Sequence, residues 1–132
     1  MITISKDKSK LQVAVIHQYL TNSYWAKGRT LAQVQTTIDN CLCFGLYKDD
    51  TQIGFGRIAT DYAVFAYLMD LFILPEYQGK GYSKQLMEAI VNAKELKDCR
   101  TWMLKTFDAH GLYKQFGFTE LKNSDIVMER IL

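Results

Sequence analysis

The sequence predicts an α/β fold built on one mixed β-sheet. Apolar residues recur at helical spacing in the first 40 residues, and from residue 42 onward they recur at strand spacing. Residues 64–106 have the pattern strand, turn, helix, strand, which is typical of a crossover between parallel neighbours. The remaining strand pairs are then expected to be antiparallel. The predicted order is β-α-α-β-β-β-α-β-α-β-β in a single domain spanning residues 1–132.

The first 41 residues predict a short strand and two helices. Ile2 and Ile4 alternate as in a strand, and residues 7–20 carry apolar side chains at helical spacing. After a loop over 21–29, Thr30 stands three residues before a glutamine, which is the capping-box pattern that starts a helix. The apolar face of this second helix is predicted to consist of Leu31, Val34, Ile38 and Cys41.

A β-hairpin is predicted next. Residues 42–48 and 52–60 have strand patterns and flank the polar tripeptide Asp49-Asp50-Thr51. Gly54 and Gly56 lie inside the second strand, where glycine indicates a bulge or a close approach of another backbone.

The longest apolar run, residues 64–74, is predicted to be a central strand because both of its faces are apolar. Pro75 ends it, and a helix starting near Tyr82 follows. The remaining predicted elements are a strand over 101–106, a short helix capped by Asp108 and ended by Gly117, and two strands starting at Phe118 and covering 126–132.

Charge and cysteine content exclude several classes of protein. The 16 basic and 14 acidic residues are interspersed, so no basic stripe for nucleic acid is present. No segment reaches the length of a membrane span, and the first ten residues do not resemble a signal peptide. Three cysteines without regular spacing predict neither a disulfide framework nor a metal site. Buried thiols in a reducing, cytoplasmic location are the expectation.

The turn over residues 78–83 joins the central strand to a helix and is the clearest candidate site. Free N–H groups and the helix dipole at such a position favour an anion. Gly79 and Gly81 allow close approach of the backbone, and Lys80 and Lys84 add positive charge, so a phosphate site is predicted. An ordinary strand-to-helix turn is the alternative. Neither a Walker A loop nor a Rossmann glycine pattern is present.

Two segments carry a family resemblance. LFILPEYQGKGYS, residues 71–83, resembles the acyl-CoA signature of GNAT-type N-acetyltransferases, an apolar strand followed by [Q/R]-x-x-G-x-[G/A]; Ser83 replaces its last small residue. GLYKQFGF, residues 111–118, resembles the family element A-x-x-L-Y-x-x-x-G-F. The resemblance implies the GNAT acyl-CoA N-acyltransferase fold and direct acetyl transfer from acetyl-CoA to an amine in a ternary complex, with no metal.

The resemblance also implies residue roles. Backbone groups of Phe72, Ile73 and Leu74 would bind pantetheine, and an N–H near the first two would polarise the thioester carbonyl. Tyr113 would hydrogen-bond the thioester sulfur and protonate the departing thiolate. The residues implied to hold the pyrophosphate through backbone N–H groups are Gly79, Lys80, Gly81, Tyr82, Ser83 and Lys84, and Gln78 belongs to the same cofactor-binding turn.

The general base and the acceptor are less determined. Asp70 is the only charge in residues 64–74, and a carboxylate in an apolar strand is either functional or paired. It is therefore a candidate base; the alternative is a structural aspartate that pairs with Arg57 or caps a bulge. Tyr24 and Trp25 are candidates for the acceptor pocket or for sealing the core. An acyl-CoA-binding sensor without catalysis is the alternative function, and a second copy of the chain stays open as a partner.

Overall fold

The computed structural model describes all 132 residues and contains one five-stranded sheet. The strands lie side by side in chain order, and the three pairings among the first four strands are antiparallel. The fourth and fifth strands are parallel, which confirms the predicted crossover. The strands are β1 (Ile2–Ser5), β2 (Leu42–Lys48), β3 (Thr51–Thr60), β4 (Phe65–Ile73) and β5 (Thr101–Met103).

Helices cover both faces of this sheet because alternate strand residues are apolar on each side. The helices are α1 (Val13–Thr21), α2 (Leu31–Asn40), α3 (Tyr82–Val91) and α4 (His110–Lys114). One core packs α1 and α2 against Cys43, Phe55 and Phe72. The other packs α3 against the opposite side of the same strands, including Phe44 and Leu68. Strand side chains alternate between faces, so successive residues such as Cys43 and Phe44 enter different cores.

The N-terminal helices follow the prediction with two corrections. The capping box is confirmed, because the Thr30 hydroxyl accepts from the Gln33 N–H and the Gln33 side chain accepts from the Thr30 N–H. Leu31, predicted to be inward, is 53% exposed. The first helix begins at residue 13 rather than 7. The Asp7 carboxylate holds a separate 3₁₀ turn over Lys8–Lys10 by accepting from the Ser9 N–H.

The C-terminal region departs most from prediction. β5 ends at Met103, and no strand forms at Phe118 or over 126–132, where a 3₁₀ turn (Ser124–Ile126) and irregular chain are found instead. Residues 120–132 are all exposed, so no partner strand supplies the ladder hydrogen bonds that would make them strands. The longest helices have ten residues, and none is long and apolar enough to cross a membrane.

All three cysteines are buried free thiols, as predicted.

Candidate active site

A β-bulge in β4 opens one side of the sheet. Phe55 pairs with Phe72 and Arg57 pairs with Met69, so Asp70 and Leu71 together oppose Gly56. A Cβ atom at Gly56 would lie 2.9 Å from Leu71 Cδ1, so a larger residue there would make the Leu71 side chain shift. The pairing of β4 with β5 extends only over residues 65–67 of β4. The rest of β4 therefore has no strand neighbour on that side, and a gap separates it from the chain after β5.

Asp70 lies in the bulge with a left-handed backbone (φ 56°) and a side chain that is 1% exposed. Its Oδ2 atom accepts from Arg57 Nε at 2.6 Å and from Arg29 Nη1 at 2.5 Å, and its Oδ1 atom accepts from Trp25 Nε1 at 3.0 Å. The ion pair with Arg57, offered by the sequence as the alternative to a catalytic role, is thus present. The carboxylate has essentially no surface available to a substrate.

Arg29 was missed by the sequence reasoning. It ends the loop that also carries Trp25, and both residues hold Asp70 from a different part of the chain. The only sign in the sequence that Arg29 belongs to the site is its position close to the aromatic pair Tyr24-Trp25. That position does not indicate its partner Asp70, which lies 41 residues away.

The backbone groups along the gap are not equivalent. The Leu74 N–H donates to the Ile53 carbonyl at 2.8 Å and is therefore already bonded. Because backbone groups alternate along a strand, the N–H and C=O groups of Phe72 also point toward β3, and those of Ile73 point toward the gap. The Ile73 carbonyl accepts from Gln78 Nε2 at 2.9 Å, so Gln78 ties the turn to the strand. Of the three residues predicted to bind pantetheine, Ile73 is the one whose N–H points into the gap.

The turn after β4 forms a cradle of free N–H groups. The first helical hydrogen bond of α3 runs from the Gln85 N–H to the Gly81 carbonyl at 3.1 Å, and the N–H groups of residues 79–84 have no partner within the chain. Gly79 and Gly81 adopt φ values of 78° and 81°, a conformation that suits glycine, and a Cβ at either would meet no atom within 4 Å. An anion can therefore approach this backbone closely.

Positive charge flanks the cradle. Lys80 and Lys84 are both exposed, and Lys80 Nζ lies 5.7 Å from the ring centroid of Tyr77. Lys48 Nζ lies at the same distance from that ring. Lys80 and Lys84, which the sequence analysis singled out, and Lys48 add their charge to the positive end of the α3 dipole.

A cavity of about 1010 Å³ connects the cradle with Tyr113. One end of this cavity is lined by residues 71–75, where β4 ends, and by Gly79, Gly81, Tyr82 and Ser83 of the following turn and helix. The far end of the cavity is lined by Leu112 and Tyr113. Burial, with smaller contributions from Tyr24 and Asp108, raises the pKa of Tyr113 to about 12. Its phenol thus keeps its proton at neutral pH and is available as a hydrogen-bond donor.

Asp108 does not cap α4, contrary to the prediction. The cap residue is Ala109, whose N–H donates to Thr106 Oγ1 at 3.0 Å. Asp108 instead lines the large cavity and a second one of about 370 Å³, and Tyr24, Trp25 and Tyr113 also line both cavities.

Residues 39–120 match the family model described as the acetyltransferase (GNAT) domain. The chain belongs to this family. This chain is 28% identical to a Gibberella zeae protein that is named as an acetyltransferase, and the match covers 92% of this chain and 81% of the relative. It superposes on a GNAT-family protein of Xanthomonas campestris pv. campestris with a TM-score of 0.97 and 45% identity, covering 100% of this chain and 94% of that one.

The same fold occurs in a Clostridium acetobutylicum protein whose crystal structure contains acetyl-CoA. The TM-score is 0.70 at 15% identity, covering 99% of this chain and 96% of that chain. The fold class predicted from the sequence and the resemblance to the GNAT family are both confirmed.

Proposed function

We propose that the protein transfers the acetyl group of acetyl-CoA directly to an amine held in the same complex. The observation that carries the proposal is one continuous cavity with a cradle of free N–H groups at one end and the Tyr113 phenol at the other. The first suits a pyrophosphate, and the second suits the sulfur of a thioester. Family membership supports the same reading.

The residues present fit acetyl-CoA as a substrate. The pyrophosphate would bind the N–H groups of residues 79–84, where the two glycines leave open space. Pantetheine would lie in the gap beside β4, in the place of a missing strand. There the Ile73 N–H is a donor for the thioester carbonyl, whose oxygen gains negative charge when an amine attacks.

The acceptor first loses a proton to water, because an amine of pKa ~10.4 attacks only in its neutral form. Its nitrogen forms a bond to the carbonyl carbon and then releases a second proton to water, the carbon–sulfur bond breaks, and the sulfur leaves with the bonding electrons. Tyr113 donates a hydrogen bond to that sulfur. Since its pKa is raised to about 12, full proton transfer to a thiolate of pKa ~8.5 is unfavourable, and water supplies the final proton.

We assign Asp70 a positioning role in this reaction rather than that of general base. Two guanidinium groups and an indole N–H occupy its oxygens, and its side chain is buried. Its contacts fix the bulge of β4 relative to the loop over residues 21–29. The proton of the amine instead leaves through the open cavity.

The cradle is tested by introducing a charged side chain at one glycine. Gly81→Glu places a carboxylate where the pyrophosphate would bind, so acetyl-CoA affinity measured by calorimetry is expected to be lost. Gly28→Glu is the matched control, because Gly28 also has φ 81° and also has no atom within 4 Å of a Cβ position. Both variants carry the same backbone strain, and only the first should lose binding.

Two results would contradict the proposal. Acetyl-CoA affinity retained in Gly81→Glu would show that the turn is not the phosphate site. Tight acetyl-CoA binding by the unmodified protein without release of free CoA on any amine would instead support the alternative of an acyl-CoA-binding sensor.

A further inference from the structure

A row of aromatic side chains runs from the core to the surface near Tyr113. Tyr19 stacks on the buried Phe72 with ring centroids 4.1 Å apart and lies 6.1 Å from Trp25. The row continues with Tyr24, 5.1 Å from Trp25, and ends at Phe107, 6.1 Å from Tyr24. The last two side chains are 63% and 86% exposed. Exposed apolar residues that cluster in this way indicate a binding surface.

This aromatic row is held in place at two points. Its inner end, Phe72, belongs to the core beneath α1 and α2. Near its middle, Trp25 Nε1 donates to Asp70, which the two arginines hold in turn. The inner end and the middle of the row are therefore ordered before a ligand binds, which reduces the entropy lost on binding.

The 370 Å³ cavity lies against the outer part of the row. Tyr24, Trp25 and Phe107 line it together with Asp108 and Tyr113. Tyr113 and Asp108 also line the large cavity proposed for acetyl-CoA. A molecule in the smaller cavity thus adjoins the position proposed for the thioester.

The charges around this smaller cavity leave one carboxylate free. Arg29 is paired with Asp70, and Lys105 is paired with Glu129. Asp108 forms neither an ion pair nor a capping hydrogen bond. The cavity therefore presents an aromatic wall and one uncompensated negative charge, an arrangement that suits a cation on an apolar body.

We infer that the acceptor is a primary amine carried on an aromatic body, with Asp108 binding its ammonium group and Tyr24, Trp25 and Phe107 contacting the ring. This inference rests on the proposed acetyl transfer and names its acceptor class. Once the ammonium has lost a proton to water, the nitrogen attacks the thioester as described above. An amine with an adjacent carboxylate is disfavoured, because that carboxylate would lie close to Asp108.

The test compares three amines at saturating acetyl-CoA, with released CoA measured by a thiol reagent. The amines are 2-phenylethylamine, n-butylamine, which lacks the ring, and L-phenylalanine, which adds a carboxylate. 2-Phenylethylamine is expected to have the highest kcat/KM, by about tenfold or more over each of the other two, since one lost pocket contact is worth about that factor.

Variants assign the two contacts separately. Asp108→Asn is expected to raise KM for 2-phenylethylamine by roughly 10- to 100-fold, the range for a lost charged hydrogen bond, while the Kd for acetyl-CoA stays unchanged. Phe107→Ala should raise KM for 2-phenylethylamine and leave that for n-butylamine unchanged. Asp125→Asn is the control, because Asp125 is an exposed carboxylate outside both cavities.

Equal kcat/KM for the three amines, or an unchanged KM in Asp108→Asn, would overturn the inference. Acetyl-CoA binding with transfer only to anionic amines would overturn it and leave the proposed function standing. Failure of the unmodified protein to bind acetyl-CoA would overturn both.

Discussion

Replacement of Asp70 by asparagine tests the ionic cluster that holds the bulge. Asparagine keeps the volume of the side chain but removes the charge that compensates Arg57, whose side chain is 7% exposed. Breaking a buried pair by removing one partner costs about 3–5 kcal/mol. Arg29 is 19% exposed and can turn toward water, so we expect the lower end, about 3 kcal/mol. That is a large part of a typical unfolding free energy of about 5–15 kcal/mol.

Urea unfolding followed by tryptophan fluorescence measures this effect, with the slope expected to stay constant. The control is Asp49→Asn. Asp49 also has a left-handed backbone (φ 53°) and an ion pair, with the N-terminal amine, but its side chain is 74% exposed. Only a small change is expected there, because exposed pairs contribute little. Adding Arg57→Met to Asp70→Asn should recover part of the loss. A loss below about 1 kcal/mol for Asp70→Asn, within the range of an exposed pair, would refute the reasoning.

Four further predictions concern the proposed reaction and the fold. Tyr113→Phe should lower kcat by roughly 10- to 100-fold with an unchanged Kd for acetyl-CoA, the range for a lost hydrogen bond to a charged group, here the departing sulfur; equal kcat would remove the phenol from the mechanism. Because the pKa of Tyr113 is raised to about 12, its proton is retained below that pH, and kcat/KM should rise from pH 7 to 10 as the amine deprotonates; a fall in this window would contradict the assignment. Thr30→Ala removes the hydroxyl that caps α2 and should lower the free energy of unfolding by about 1 kcal/mol, whereas Thr30→Ser keeps a hydroxyl and should lose much less. Burial raises the pKa of Cys43 to about 11, so its thiol should resist alkylation at pH 8 until the protein unfolds; rapid labelling of the native protein would show that Cys43 is accessible.

The sheet could be predicted from the sequence because its determinants are local. Asp49 and Asp50 form the turn between β2 and β3. The apolar run of β4 pairs with β3 on one side and, before the bulge, with β5 on the other. The capping box of α2 likewise depends on two side chains three positions apart. The same is true of the glycine turn, whose N–H groups are free because the first turn of any helix lacks acceptors for them.

The partners of Asp70 could be predicted only in part. Arg57 lies on the adjacent strand near the bulge, and strand pairing made that contact foreseeable. Arg29 and Trp25 reach Asp70 from a loop more than 40 residues earlier, and no local pattern reports such a contact. The prediction of two C-terminal strands was wrong because it also depended on a distant partner. An apolar segment becomes a strand only when a neighbouring strand offers it hydrogen bonds.

The role of Asp108 was misjudged because its position before a short helix has the same pattern as an N-cap. The cap residue is Ala109 instead, whose N–H donates to Thr106 Oγ1, and the Asp108 carboxylate lies at the junction of the two cavities. Three-dimensional context, rather than residue type, distinguishes these two uses of an aspartate.

A crystal structure with bound acetyl-CoA would show directly where the cofactor lies. We expect pyrophosphate oxygens within hydrogen-bonding distance of the N–H groups of residues 79–84, and the thioester sulfur within hydrogen-bonding distance of the Tyr113 hydroxyl. Acetyl-CoA bound outside the gap between β4 and the chain after β5, or a sulfur remote from Tyr113, would contradict this expectation.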